Sequence, residues 1–183
     1  MKKIAVLFSG TGTNFKYIAK ELHNKKLQIA VALTNNPNAQ GIEVAKEYNI
    51  PLIVTPSKGL EREEFDKKVV KELKKYSLDL VVLAGFMRIL TPIFTENLKA
   101  INLHPSLLPR HKGLHAIERS FNDEYKLGGV SVHFVNSELD GGEVILQKSI
   151  DKSNLDFNEY YNKIRVIEKE ALCEAILKVL EIK

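Results

Sequence analysis

Asn102 and His104, in the stretch "AINLHPSLLPRHKGLH" (residues 100–115), stand two positions apart at the end of an apolar run. On a strand, residues two apart point to the same side, so an amide and an imidazole would share one face. The amide can donate to a developing oxyanion, and the imidazole can carry a proton near neutral pH. Pro105 and Pro109 forbid an ordinary helix or central strand directly afterwards. The pair therefore belongs at the lip of a strand that runs into a rigid loop, a place suited to chemistry at a carbonyl carbon. The plainer alternative is a core histidine bonded to a backbone carbonyl.

Two further stretches carry candidate chemistry. In "SGTGTN" (9–14), Gly10 and Gly12 permit positive φ and a close approach of backbone to ligand. The first amides of a following helix would favour an anion there, with Thr13 and Asn14 as side-chain donors. It is not a dinucleotide fingerprint, because Phe15 takes the place of the third glycine and "LTNN" ends the next strand without an acidic residue; it is not a Walker loop either. The alternative is a plain tight turn. In "LDGG" (139–142), Asp140 precedes two glycines, an ordinary turn signal. Asp140 gains a chemical role only if it reaches His104, where a carboxylate orients an imidazole and raises its pKa.

Other chemistries find little support. The five histidines (His23, His104, His111, His115, His133) form no His-Glu-x-x-His pattern and have no cysteine nearby, so no metal site is expected. Cys173, the single cysteine, falls within a long helical stretch as a structural thiol. Ser106 lacks the flanking glycines of a nucleophile elbow.

The elements that must position these residues follow from the alternation of apolar runs and helix-period segments. Strands are expected at 3–8, 27–34, 51–55, 78–85 and 100–104. Helices are expected near 15–22, 41–49, 61–76 and 91–98. This rhythm predicts an α/β, single-domain, Rossmann-like, doubly wound and mostly parallel sheet. Two strands at 129–135 and 143–150, joined through "NSELDGG", are expected to enter it antiparallel in the C-terminal part. A last helix spans about 158–181, and 111–127 reads as a loop. The domain covers 1–183, with about 1–100 as a phosphate-binding half and about 101–183 as a catalytic half. In open α/β sheets ligands bind beyond the carboxyl ends of the strands, where "SGTGTN", "GFMRIL" and "NLHPSLLP" all fall.

Bulk properties agree with a small-molecule enzyme. The chain has 183 residues, 44% hydrophobic and 27% charged, and a formal charge of +4. That excess suits an anionic small molecule and does not call for nucleic acid. A lone cysteine is compatible with the cytoplasm. The apolar run Ile4–Phe8 is too short for a signal peptide, and no stretch approaches a membrane span.

Taken together, "SGTGTN", "VVLAGFMRIL", "NLHPSLLP" and "GVSVHFVNSELDGGEVILQ" resemble, in order and spacing, the phosphoribosylglycinamide formyltransferase family of folate-dependent enzymes. The resemblance covers nearly the whole chain. It implies transfer of a formyl group from 10-formyltetrahydrofolate to the amine of glycinamide ribonucleotide in purine synthesis, through a tetrahedral intermediate. It implies that Asn102 donates to the oxyanion, that His104 transfers the proton, and that Asp140 holds the imidazole and a shuttling water. Gly12, Thr13, Asn14 and Glu168 match the ribonucleotide site. Arg62, Met87, Arg88, Ile89 and Leu90 match folate contacts, with Asn102 beside them. No nucleic acid, membrane or metal is implied, and the chain is expected to act as a monomer or homodimer.

The sequence departs from the family at Lys169 and Cys173, where many relatives have His and Pro, and around Lys112 and Ile117. A methionyl-tRNA formyltransferase would be expected to carry a further RNA-binding domain. A formyltetrahydrofolate deformylase would be expected to carry a regulatory domain and would not need the ribonucleotide loop. A non-catalytic nucleotide-binding module would give Asn102, His104 and Asp140 no role.

Overall fold

In the computed structural model, which describes residues 1–183, five strands lie parallel: β1 (Lys3–Phe8), β2 (Gln28–Thr34), β3 (Leu52–Val54), β4 (Leu80–Leu83) and β5 (Ala100–His104). Two more, β6 (Leu127–Phe134) and β7 (Val144–Asp151), complete a single sheet in the order β3-β2-β1-β4-β5-β6-β7. β6 is antiparallel to β5, and β7 is antiparallel to β6. Only β6 therefore opposes the rest, and β7 returns to the common direction. The expectation that both late strands enter antiparallel holds for each pairing but not for the direction of β7 in the sheet.

The helices are α1 (Thr13–Leu22), α2 (Ile42–Glu47), α3 (Arg62–Leu73), α4 (Pro92–Thr95), α5 (Ala116–Asn122) and α6 (Phe157–Val179). The period of two along the central strands sorts their side chains to opposite faces. Ile4, Val6 and Phe8 of β1, with Leu80 and Val82 of β4, pack on one side with Phe15, Ile18 and Leu22 of α1 and with Tyr160, Ile164, Leu172 and Ile176 of α6. Ala5, Leu7, Val81 and Leu83 point the other way, against Phe65, Val69 and Leu73 of α3 and Phe94 of α4. Burying each such large side chain is worth roughly 1.5–3 kcal/mol, so the central strands are fixed from both faces. Strands and helices of both chain halves share these two cores.

Local signals set the ends. α6 begins with a capping box, in which the Asp156 carboxylate accepts from the Glu159 N–H and the Glu159 carboxylate accepts from the Asp156 N–H. α3 ends at Leu73 and is finished by a 3-10 turn, Lys74–Tyr76, so the segment 61–76 divides in two. The stretch 111–127, expected as loop, contains α5. Its seven residues give too short an apolar pattern to announce a helix, and its C-terminal carbonyls are met by a lysine far away in sequence, Lys152.

Candidate active site

The chain leaves β1 through a loop drawn tight against its neighbour. Gly12 has φ +73°, the left-handed region, and a Cβ there would stand 2.6 Å from the Cα of Gly41. Gly41 donates its N–H to the Gly10 carbonyl at 3.0 Å. This backbone contact holds the N-terminus of α1 open toward a cleft of about 230 Å³ lined by Ser9–Asn14, Ala84, Gly85, Met87 and Arg165. Arg165, on α6, donates to the Thr13 hydroxyl at 3.0 Å and to the Glu168 carboxylate at 2.8 Å. Glycines, a helix N-terminus and a guanidinium in one cleft suit an anion. Gly12, Thr13 and Asn14 thus line one cleft, and Arg165 links Thr13 to Glu168. Thr13 here accepts a hydrogen bond, and the buried Asn14 has an unpaired Oδ1. Burial pushes the Glu168 carboxyl up, only partly opposed by Arg165, Asn14 and Lys169.

Arg165 escaped the sequence reading. Its spacing of three from Glu168 on one helix face was the available signal, but nothing in the sequence placed that face over the β1 loop.

Asn102 and His104 point to the same face of β5, and His133 of β6 stands directly opposite Asn102. The Asn102 amide lies 3.2 Å from His133 Nε2, while His133 Nδ1 lies 2.8 Å from the Phe134 carbonyl. A carbonyl only accepts, so Nδ1 carries a proton, and Nε2 stands between the Asn102 amide and the Asp140 carboxylate. The Asn102 amide is thereby held against β6. His133 was visible in the sequence as a histidine, but its partnership depends on the β5–β6 register.

The connection from β6 to β7 doubles back and brings Asp140 to the pair. Asp140 has φ +52°. Its Oδ2 lies 3.4 Å from His104 Nδ1, and its Oδ1 lies 3.7 Å from His133 Nε2. The Gly113 N–H donates to Oδ2 at 2.9 Å. The turn thus brings Asp140 to His104 and to His133, the partner of Asn102. The other nitrogen of His104, Nε2, donates to the His111 carbonyl at 2.8 Å. Both ring nitrogens thus face acceptors, and only the imidazolium satisfies both. Burial opposes that form and pushes the His104 imidazole below its usual value of 6.5. The His111 carbonyl and Asp140 act upward, and His133 and Arg119 add to the downward push. Burial also pushes the Asp140 carboxyl up, but His133, the Gly113 N–H and His104 outweigh it and hold it below the usual carboxylate range.

After β4 comes a segment with an apolar outer surface, on which Met87 and Ile89 are exposed. It is tied down at both ends. The Met87 N–H donates to the Ser9 hydroxyl at 2.8 Å. The buried Asp66 of α3 accepts from both the N–H and the hydroxyl of Thr91, each at 2.7 Å. The Arg88 guanidinium lies 4.7 Å over the Phe65 ring, so this side chain turns toward α3 and away from solvent. Arg62 starts α3 and lines an open hollow with Glu61, Glu63, Glu64 and Lys67. No hydrogen bond or ion pair joins it to Met87–Leu90; the two are related only through α3.

Comparison with known proteins gives the same picture. The formyl transferase family model matches residues 2–176. A phosphoribosylglycinamide formyltransferase of Haemophilus influenzae is 41% identical over 155 residues, 82% of this chain and 73% of that protein. The Escherichia coli protein of the same name is 38% identical over 152 residues, 80% of this chain and 72% of its own. A phosphoribosylglycinamide formyltransferase structure from Campylobacter jejuni superposes with a TM-score of 0.95 at 46% identity, covering 98% of this chain and 97% of the other. With an anion cleft and an amide–imidazole–carboxylate group beyond the carboxyl ends of the parallel strands, and relatives aligned over most of its length, this chain belongs to the phosphoribosylglycinamide formyltransferase group of the formyl transferase family.

Proposed function

We propose that this chain transfers the formyl group of 10-formyltetrahydrofolate to the amine of 5'-phosphoribosylglycinamide, in purine biosynthesis. The amine nitrogen attacks the formyl carbon, and the carbonyl oxygen becomes an oxyanion. The bond from that carbon to the folate nitrogen then breaks, releasing tetrahydrofolate and phosphoribosyl-N-formylglycinamide. Asn102 donates an amide N–H to the oxyanion. His104 accepts the proton lost by the amine and returns it to the folate nitrogen. Asp140 faces His104 Nδ1 and stabilises the imidazolium, with a water between them and the substrates as the shuttle. The cleft at Gly12, Thr13 and Asn14 receives the ribonucleotide phosphate, with Arg165 as its counter-charge, and the buried Glu168 orients the substrate beside it. Met87–Leu90 receive the pteridine, and Arg62 takes the anionic tail of the folate. We assign residues 1–100 mainly to phosphate binding and 101–183 mainly to catalysis, within one domain.

The observation that carries this reading is the 3.4 Å approach of Asp140 to His104 at the carboxyl end of β5, the same end of the sheet that holds the anion cleft after β1. The test is to mix the protein with phosphoribosylglycinamide and 10-formyltetrahydrofolate and follow tetrahydrofolate release. Release that requires the amine supports transfer. Release without it identifies a deformylase, and no release supports a non-catalytic nucleotide-binding module. No helix is long and apolar enough to cross a membrane, and we place the enzyme in the cytoplasm. We infer that the chain acts as a monomer or as a homodimer. Light scattering combined with activity measured across protein concentration tests that point.

A further inference from the structure

Lys152 is a buried cation with no part in the chemistry above. A buried ammonium is costly unless acceptors meet its N–H groups. Here Nζ donates to the Ser120 carbonyl, to the Phe121 and Asp123 carbonyls at 3.1 Å each, and to the Asp123 carboxylate at 2.6 Å. The three carbonyls are the exposed acceptor end of α5, which has no partners of its own. Asp123 is gripped from several sides. Its other carboxylate oxygen accepts from His111 Nε2 at 2.6 Å and lies 3.4 Å from Arg110 Nη1, and the Tyr125 N–H adds a bond of 3.0 Å.

This cluster ends on the reacting group. The carbonyl of His111 is the acceptor of His104 Nε2, at 2.8 Å. His111 has φ +55°, a left-handed backbone that a non-glycine residue keeps only where its surroundings impose it. Its ring is held on Asp123 at 2.6 Å. Two residues on, the Gly113 N–H holds Asp140. One loop therefore touches both the imidazole and its carboxylate, and Lys152 and Asp123 hold that loop.

We propose that Lys152, through Asp123 and His111, is a positioning residue for His104, fixing which ring nitrogen is protonated and keeping the other toward Asp140. The inference rests on the reading of His104 as the proton carrier. It is tested with Lys152→Met and His111→Asn, the latter chosen because asparagine tolerates the left-handed backbone but cannot reach Asp123. Each variant lowers kcat about tenfold, with KM for both substrates changed less than about twofold, as a misplaced reacting group requires. The double variant loses little more than either single one, because both act through the same contact. In histidine ¹⁵N NMR, His104 changes from a fixed Nε2–H form to averaged tautomers in both variants. Unchanged kcat with unchanged His104 shifts overturns the proposal, even if the melting temperature falls; so do losses that multiply in the double variant. If Lys152→Met does not fold, His111→Asn decides by the same two readouts. The NMR readout needs no turnover, so its failure is distinct from failure of the transferase reading.

Discussion

His104 is buried between a backbone carbonyl and a carboxylate, and its titration follows from that position. Its imidazole is held below the usual 6.5. As pH falls below 6.5, the unfolded chain takes up a proton before the folded one does, so stability declines from there down to the folded pKa. Asp140 is held below the usual 3.8, and its contribution is lost only at lower pH, as the pH falls from 3.8 through the folded value. Urea unfolding measured from about pH 7.5 to 5 will show the first decline, and His104→Asn will reduce it, leaving the part due to His23, whose imidazole burial also pushes below 6.5. The acid limb of kcat/KM will likewise lie below the ordinary imidazole value, since the free enzyme needs a neutral His104. His104→Ala is expected to reduce kcat by about 10²- to 10⁴-fold, and Asn102→Ala by about 10²- to 10³-fold. Phosphate-ligand binding, read by calorimetry, is retained in both. Asn102 and His104 were legible in the sequence because strand alternation alone puts them on one side. His133 and Arg165 were not, since a cross-strand register and a helix docking, neither of which is local, bring them to the site.

At the level of elements, the loops are held by single contacts whose loss can be measured. Gly12 sits left-handed against Gly41. Gly12→Ala adds about 1 kcal/mol or more of backbone strain and pushes a methyl group into the Gly41 backbone. It is expected to lower the melting temperature and weaken ribonucleotide binding together. Asp66 alone satisfies the N–H and hydroxyl of Thr91. Asp66→Ala is expected to cost about 1–3 kcal/mol through unpaired donors and to raise KM for the folate more than for the ribonucleotide, because it frees the Met87–Leu90 segment. Steady-state kinetics with each substrate varied separately checks this. The strands and long helices were legible from their periods. α5 was not, because its end is completed by Lys152, thirty residues away by the numbering and on the far side of a hairpin.

The whole molecule is one sheet whose two faces are filled by interleaved residues of the same strands, which is why apolar runs without polar alternation predicted a doubly wound architecture. The direction of β7 was beyond the sequence, since a connection of "NSELDGG" length does not reveal where it turns back. α6 both seals one core and brings Arg165 to the cleft at the start of α1. A chain still emerging from the ribosome, with α6 inside the exit tunnel, therefore has the β5 pair in place but lacks Arg165 at the cleft. Nascent chains stalled before α6 is made should therefore be silent toward the ribonucleotide, and should gain binding once residues 157–179 have left the exit tunnel.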